Sequence, residues 1–183
     1  PERVNVEFVS ANPTGPLHVG HARNASYGDA LARILAFHGH AVEREYYVND
    51  YGGQVEKLGL SIQARALGQD VPEGGYEGEY VSELAKQIPG AAAADVNLLS
   101  RAGVEILIGK VRKSLEDFGV EFDRLFSERE LHEGESVDQA LEKLEKASVL
   151  YSKDDASWFK TMDFGDDKDR VVKRSNGDHT YFA

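Results

Sequence analysis

Apolar and polar residues alternate over positions 4–9, VNVEFV, in the manner of a strand that is buried on one face. Apolar side chains then recur at helical spacing over positions 18–38, and Gly39 ends that pattern. Positions 41–48 predict a second strand, and another helical pattern runs on toward Leu67. The apolar positions that define the first helix are Tyr27, Ala30, Leu31, Ile34 and Leu35. This order of elements predicts an α/β fold with an open parallel sheet, whose ligands bind at the carboxyl ends of the strands.

The pattern changes at Gly68, where a stretch rich in Gly, Glu and Tyr leads into a long helical pattern that ends at Gly119. We predict a mainly helical insertion at residues 68–119. It separates the first half of the sheet domain, residues 1–67, from a return to that domain at residues 120–183. In the last segment short apolar runs alternate with Asp and Gly turns, which predicts small antiparallel strands.

Two helix starts carry polar residues that are typical of N-caps. Asn49 and Asp50 come directly after the second predicted strand and can cap the helix that follows. Ser136 with Gln139 forms a capping-box pattern ahead of a later helix. We expect these side chains to satisfy free N–H groups at the start of each helix.

Composition is that of an ordinary globular protein. Of the 183 residues, 41% are apolar and 29% are charged, which suits one domain with a subdomain. Cysteine is absent, so disulfides and thiolate metal sites are excluded. No run of about 18 apolar residues occurs, so no membrane partner is expected. The net charge of −11 argues against strong RNA binding by this chain alone, because phosphate neutralisation drives most nucleic-acid affinity.

The most distinctive segment is ANPTGPLHVGH at positions 11–21, which follows the first strand and opens the first helix. Its prolines and glycine make a stiff loop that cannot continue a strand. His18 and His21 then share one face of the first helical turn, and Gly20 leaves room close to the backbone. A helix N-terminus favours anions, so two added imidazole donors predict a phosphate site.

Residues 18–21, HVGH, resemble the HIGH motif of class I aminoacyl-tRNA synthetases. A longer resemblance is to bacterial arginyl-tRNA synthetases, and it rests on four blocks that occur in that family's order. These blocks are VEFVSANPTGP at 6–16, YVNDYG at 47–52, FDRLFSE at 122–128 and GDDKDRVVKRSNG at 165–177, the last followed by Thr180 and Tyr181. They extend over nearly the whole chain, which makes chance similarity a poor explanation.

The resemblance implies the first half of a Rossmann-like, HUP-type nucleotide-binding parallel sheet with a helical insertion and small antiparallel strands near the C-terminus. It implies an arginine–tRNA ligase, which uses ATP with Mg²⁺ to activate L-arginine as arginyl-adenylate and transfers it to tRNA(Arg). It further implies a cytoplasmic, monomeric enzyme. The family's KMSKS-like loop and helical anticodon-binding domain have no counterpart in the sequence, so we expect an inactive piece of a longer enzyme.

The resemblance makes His18 and His21 the expected catalytic residues, which contact the ATP phosphates and the transition state. The expected ATP-binding set is the whole motif and its lead-in: Ala11, Asn12, Pro13, Thr14, Gly15, Pro16, Leu17, His18, Val19, Gly20 and His21. The alternative is a pair of helix-start histidines that solvent satisfies, and we would prefer it for an isolated H-x-x-H. The proline and glycine lead-in and the matching blocks favour the functional interpretation.

The resemblance also implies an arginine pocket. Glu7 and Tyr181 are expected to contact the guanidinium, and Ser10 with Asn12 the α-amino and carboxylate end of the substrate. A guanidinium is always charged and pairs best with a planar carboxylate, so a glutamate is suited to this role. Without the resemblance, Glu7 would be interpreted as an exposed strand residue and Tyr181 as a core or interface tyrosine.

No metal site is predicted. A structural zinc ion needs four ligands and a catalytic one usually three, whereas His38 and His40 lie at the far end of the helix from His18. The acidic run DDKDR at 166–170 carries its own cations and lacks EF-hand spacing, so it predicts a solvated charged turn.

Two other functions remain open from the sequence. One is a related nucleotidyltransferase that uses H-x-G-H to adenylylate a small molecule and needs no tRNA. The other is a non-catalytic, synthetase-like module that binds nucleotide or arginine without turnover. The presence of Glu7, Asn12 and both motif histidines argues against the second, because such a module need not keep them. A polar cluster around Asn49 and Gln54 either lines the active-site cleft or only caps a helix.

Overall fold

Three parallel strands form the sheet of the first of two units in this chain. The computed structural model describes residues 1–180 and 182, and the chain divides into units Pro1–Arg129 and Glu130–Ala183. The strands are β1 (Arg3–Glu7), β2 (Ala41–Val48) and β3 (Arg124–Ser127), in the order β1-β2-β3. The predicted α/β class with a parallel sheet is therefore confirmed.

The register of the sheet gathers three strand ends at one edge. Arg3 of β1 lies opposite Ala41 of β2, and Glu45 of β2 lies opposite Arg124 of β3. Since all three strands run the same way, their carboxyl ends and the loops that follow them meet on one side. This is the side on which open α/β sheets bind ligands.

Helix α1 (Val19–Phe37) packs on the sheet through small residues. Its buried positions are Ala25, Gly28 and Ala32. The contact leaves no room for a larger side chain at Gly28, since a methyl group there would lie 2.2 Å from Cγ of Phe8. The apolar positions that predicted the helix are mostly exposed, with Tyr27 75% and Ile34 57% accessible. The helix was predicted correctly, but the close approach of helix and sheet selects small side chains for the contact.

Helices α2 (Gly53–Ala66), α3 (Glu79–Gln87) and α4 (Val96–Asp117) form a second core beside the sheet. Its centre consists of fully buried aliphatic side chains, namely Leu58, Ile62, Val81, Leu84 and Leu99. α4 is long enough to supply a second cluster as well, where its C-terminal half packs with Phe8 and Tyr46 of the sheet. Because α3 and α4 make up most of residues 68–119, this segment is mainly helical, as predicted. The boundaries of the insertion stay a prediction.

Both predicted caps are wrong. Helix α2 begins after Gly52, which has a φ of 86° and offers no side chain, so neither Asn49 nor Asp50 caps it. Helix α6 (Ser136–Lys146) already contains Ser136, and its N-cap is Glu135 in the left-handed region without a side-chain hydrogen bond. In both cases the chain turns through a positive φ just before the helix, so the polar residues are not in the capping position.

The second unit contains a small antiparallel sheet, as predicted. Its strands β4 (Leu150–Lys153), β5 (Ala156–Phe159) and β6 (Arg170–Lys173) pair in that order, after the short helix α5 (Glu128–Glu133) and α6. Asp154 and Asp155 connect β4 to β5 with φ values of 52° and 57°, which is the two-residue turn that suits twisted hairpins. Among the described residues, no helix is both long and apolar enough to cross a membrane.

Candidate active site

The loop after β1 leaves the sheet through two strained residues. Val9 has a φ of 64° and Ser10 a φ of 38°, a region that β-branched side chains rarely adopt. Asn24 of α1 supports the turn, because its Oδ1 accepts the N–H of Val9 at 2.9 Å. The predicted first strand, residues 4–9, therefore ends early at Glu7.

The turn directs two predicted arginine-site residues to the carboxyl edge of the sheet. The Ser10 hydroxyl oxygen accepts the N–H of Tyr47 at 3.0 Å, which leaves its proton available to a ligand. The Asn12 amide donates to Oε1 of Gln54 at 2.9 Å, which fixes its orientation and leaves its carbonyl oxygen as an acceptor. Gln54 belongs to the first turn of α2, so the polar cluster after β2 contacts the predicted site.

Two tyrosine hydroxyls hold the backbone of the same loop. Tyr46 of β2 donates to the carbonyl oxygen of Ala11 at 2.9 Å, and Tyr80 of α3 donates to that of Thr14 at 2.7 Å. Burial raises the pKa of Tyr46 to about 12, and burial with the neighbouring Tyr76 raises the pKa of Tyr80. Both hydroxyls therefore stay protonated and donate at neutral pH.

The two motif histidines cap helix α1 reciprocally. His18 is the N-cap residue, and its Nδ1 accepts the N–H of Gly20 at 3.1 Å. In return, Nδ1 of His21 accepts the N–H of His18 at 3.2 Å. This is a capping box made of imidazoles, with His18 and His21 in the places usually taken by Ser or Thr and by Glu or Gln.

The cap fixes the proton on each ring. Because both Nδ1 atoms accept backbone N–H groups, a neutral His18 or His21 must carry its proton on Nε2. The rings stack with their centroids 3.7 Å apart, and burial together with His18 lowers the pKa of His21. The start of α1 thus offers two Nε2–H donors in addition to the positive end of its helix dipole.

An open cavity of about 300 Å³ lies beside this helix start. Its lining combines the loop after β1, the second motif histidine and two tyrosines from residues 68–119: Asn12, Thr14, Gly15, Pro16, His21, Tyr76 and Tyr80. The structure therefore brings together Asn12 of the predicted arginine set and His21 of the predicted ATP set. His18 is exposed and stacks on His21.

The remaining arginine-site predictions differ in what the structure says of them. Glu7 is exposed at the carboxyl end of β1 and has no cationic partner within residues 1–180 and 182. Tyr181 lies outside the described residues. Of the rest of the motif, Ala11, Pro13 and Thr14 are buried, and of these three only Thr14 lines the cavity.

Asp50 connects the end of β2 to the end of β3 and the first turn of α5, instead of capping α2. Its carboxylate accepts the Ser127 hydroxyl at 2.6 Å and the Arg129 N–H at 2.9 Å, and its own carbonyl oxygen accepts Nη2 of Arg129 at 2.6 Å. Burial and the charge of Asp50 raise the pKa of the adjacent Glu128. Sequence reasoning missed these partners because they are far along the chain.

The acidic turn of the second unit is occupied by its own arginine. Arg170 donates to both Asp166 and Asp167 at 2.7 Å, and this guanidinium holds the pKa of Asp166 well below its usual range. Across the described part of the chain, no three His, Asp or Glu side chains gather in a way that could hold a metal ion.

The chain is similar to known proteins along its whole length. The family model described as tRNA synthetases class I (R), catalytic domain, matches residues 1–73. The arginine–tRNA ligase of Clavibacter sepedonicus is 44% identical over 190 residues, which cover 99% of this chain and 34% of that protein. The chain spans about a third of the length of the curated relatives it matches.

Solved structures show the same fold. A crystal structure described as a candidate arginyl-tRNA synthetase from Campylobacter jejuni has a TM-score of 0.87 and 35% identity, covering 100% of this chain and 43% of that one. The arginyl-tRNA synthetase of Thermus thermophilus has a TM-score of 0.72 and 26% identity, covering 100% of this chain and 34% of that one.

Proposed function

Because the chain belongs to the class I arginyl-tRNA synthetase family, we propose that it is part of an arginine–tRNA ligase. The whole protein would activate arginine with ATP and transfer it to tRNA(Arg), and this piece alone would be inactive. The observation that carries the proposal is the reciprocal cap, in which Nδ1 of His18 and Nδ1 of His21 each accept a backbone N–H and leave Nε2 to a ligand, beside a cavity that Asn12 also lines.

The histidines are proposed to stabilise the first reaction. A carboxylate oxygen of arginine attacks the α-phosphorus of ATP, the bond to the bridging oxygen of the β-phosphate breaks, and pyrophosphate leaves. No protein nucleophile takes part, so alignment and charge stabilisation supply the rate. Fixed Nε2–H donors on His18 and His21 can follow the charge that develops on the phosphoryl oxygens without rearranging.

Arginine is proposed to bind along the edge formed by the end of β1 and its loop. Glu7 is exposed there without a cation of its own among the described residues, so its carboxylate can pair with a guanidinium. Farther along, the free proton of Ser10 suits a carboxylate and the free carbonyl oxygen of Asn12 suits an ammonium group. Tyr181 remains part of the proposed guanidinium contact by resemblance.

The other components of the proposal come from family membership. Mg²⁺ would enter with ATP, and the phosphate oxygens would be its main ligands, since the described residues offer no cluster to hold it. tRNA(Arg) would bind mostly through parts of the whole protein other than this acidic chain. A cytoplasmic location and a monomeric state complete the proposal.

Adenylate formation in the full-length protein that contains this chain tests the proposed site. The protein is supplied with ATP, Mg²⁺, tRNA and arginine, and pyrophosphate release is followed for the wild type and Glu7→Gln. We expect arginine-dependent release in the wild type and a strongly raised KM for arginine in the variant, because a neutral amide loses the charged, bidentate partner of the guanidinium. An unchanged KM would remove Glu7 from the pocket.

A further inference from the structure

We propose that Tyr80 is a positioning residue of the active site, which holds the loop before the HIGH helix from the side of residues 68–119. The proposal rests on the proposed function, because it concerns the ATP that this loop would help to bind. Tyr80 would touch no reacting atom. It would act through the carbonyl oxygen of Thr14, to which its hydroxyl donates at 2.7 Å.

The contact is built into the loop at close range. Thr14 is buried, and the tyrosine ring lies against the next residue, since a methyl group on Gly15 would be 3.5 Å from the Tyr80 hydroxyl. Thr14, Gly15 and Tyr80 all line the cavity beside His21. If this hydrogen bond is lost, Thr14 and Gly15 can move, and the side of the cavity that faces His21 moves with them.

Tyr80 is in turn fixed by the helical core. It lies on α3 directly before Val81, which is fully buried together with Leu84 in the cluster formed by α2, α3 and α4. Tyr76, which lines the same cavity, is fixed by its N–H donating to Oγ of the buried Ser61 at 2.9 Å. The wall that faces the motif is thus set by packing within residues 68–119.

Other contacts hold the first part of the same loop, so loss of the Tyr80 hydrogen bond should affect the binding of one substrate more than that of the other. Tyr46 holds Ala11 from the sheet, and Gln54 holds the side chain of Asn12. Loss of the Tyr80 anchor would therefore release the part of the loop nearest His18, while the part that carries Asn12 stays in place. ATP affinity should suffer more than arginine affinity, which a general loss of stability would not produce.

The test compares Tyr80→Phe with Tyr151→Phe in the full-length protein. Both changes remove one tyrosine hydroxyl, and Tyr151 donates to Asp169 at 2.9 Å in the other unit. The KM values for ATP and for arginine are measured in tRNA charging, with active sites titrated so that only folded enzyme is counted. ATP binding without arginine is measured by equilibrium dialysis, and the unfolding midpoint of each variant is recorded.

We expect Tyr80→Phe to raise the KM for ATP and the dialysis Kd by roughly three- to tenfold, the range of one lost hydrogen bond, with little change in the KM for arginine. Tyr151→Phe should leave both constants unchanged. The proposal is overturned if Tyr80→Phe lowers only the unfolding midpoint, or if both variants raise the KM for ATP alike. A wild type that binds ATP but charges no arginine would contradict the proposed function instead, and dialysis would still decide on Tyr80.

Discussion

His18 and His21 fix each other's ring orientation, since Nδ1 of each ring accepts a backbone N–H at the start of α1 and the ring centroids are 3.7 Å apart. Protonating Nδ1 of His21 would break a cap bond and place a charge against the ring of His18. The structural cap and the proposed phosphate contact therefore use opposite nitrogens of the same ring. This separation allows variants that keep the cap and remove the contact.

His18→Asn makes that separation. Asparagine is a favoured N-cap whose Oδ1 can replace Nδ1, but it has no counterpart of Nε2–H. We expect the rate of adenylate formation in the full-length protein to fall by about 10² to 10³, the typical loss of one preorganised donor, with an unchanged unfolding midpoint. His18→Ala should lose the same activity and in addition about 1 kcal/mol of stability.

His38→Asn serves as the matched control, because His38 lies exposed at the other end of α1. It should retain the wild-type rate. If His18→Asn also retained that rate, Nε2 of His18 would have no part in the chemistry.

The pH dependence follows from His21. Its folded pKa lies below the usual 6.5, so the unfolded chain binds the proton more readily than the folded one. The stability that neutral His21 contributes is therefore complete above about pH 6.5 and is lost as the pH falls through the folded pKa. Denaturant titrations between pH 8 and pH 5 should show this loss in the wild type but less of it in His21→Asn, which does not titrate. Equal slopes would contradict the assignment.

The strained turn at Val9 should depend on Asn24. Asn24→Ala removes the acceptor of the Val9 N–H and should cost about 1 kcal/mol of unfolding free energy and raise the KM for arginine, because Ser10 follows in the same turn. In a Val9→Gly background the cost should be smaller, since glycine adopts a positive φ without support. A double-mutant cycle measures this coupling, and strict additivity would show that the two residues are independent.

Two helical glycines give opposite expectations for the same change. Gly28→Ala places a methyl group 2.2 Å from Phe8 and should destabilise the protein by about 1–3 kcal/mol through overpacking. Gly109→Ala meets nothing within 4 Å in α4 and should stabilise it by up to about 1 kcal/mol through helix propensity. Denaturant midpoints compare the two. A harmless Gly28→Ala would contradict the close packing of α1 on the sheet.

The sequence predicted those structural features that depend on residues close together along the chain. The parallel sheet, α1 and the hairpin strands follow from periodicity. The position of His18 and His21 at the start of α1 follows from a contiguous motif. The buried face of α1 could not be predicted from its apolar residues, because the close approach to Phe8 favours Ala25 and Gly28. Tyr80 carried no local signal at all, since its partner Thr14 is 66 residues away.

The caps failed for a related reason. Asn49 and Asp50 have suitable side chains, but the chain turns at Gly52 before the helix begins. Asp50 instead accepts the hydroxyl of Ser127 at the end of β3 and the N–H of Arg129 in the first turn of α5. Local sequence identifies a side chain that is able to cap a helix. Which N–H and O–H groups that side chain accepts depends on the residues that the fold brings next to it.

Charging of mixed tRNA by the full-length protein, offered each amino acid separately with ATP and Mg²⁺, tests the central claim most directly. The account predicts charging with arginine alone. Charging with a different amino acid would keep the phosphate chemistry of His18 and His21 but contradict the guanidinium role of Glu7. Activation of a small molecule with no charging of tRNA would contradict the ligase function itself and favour a nucleotidyltransferase.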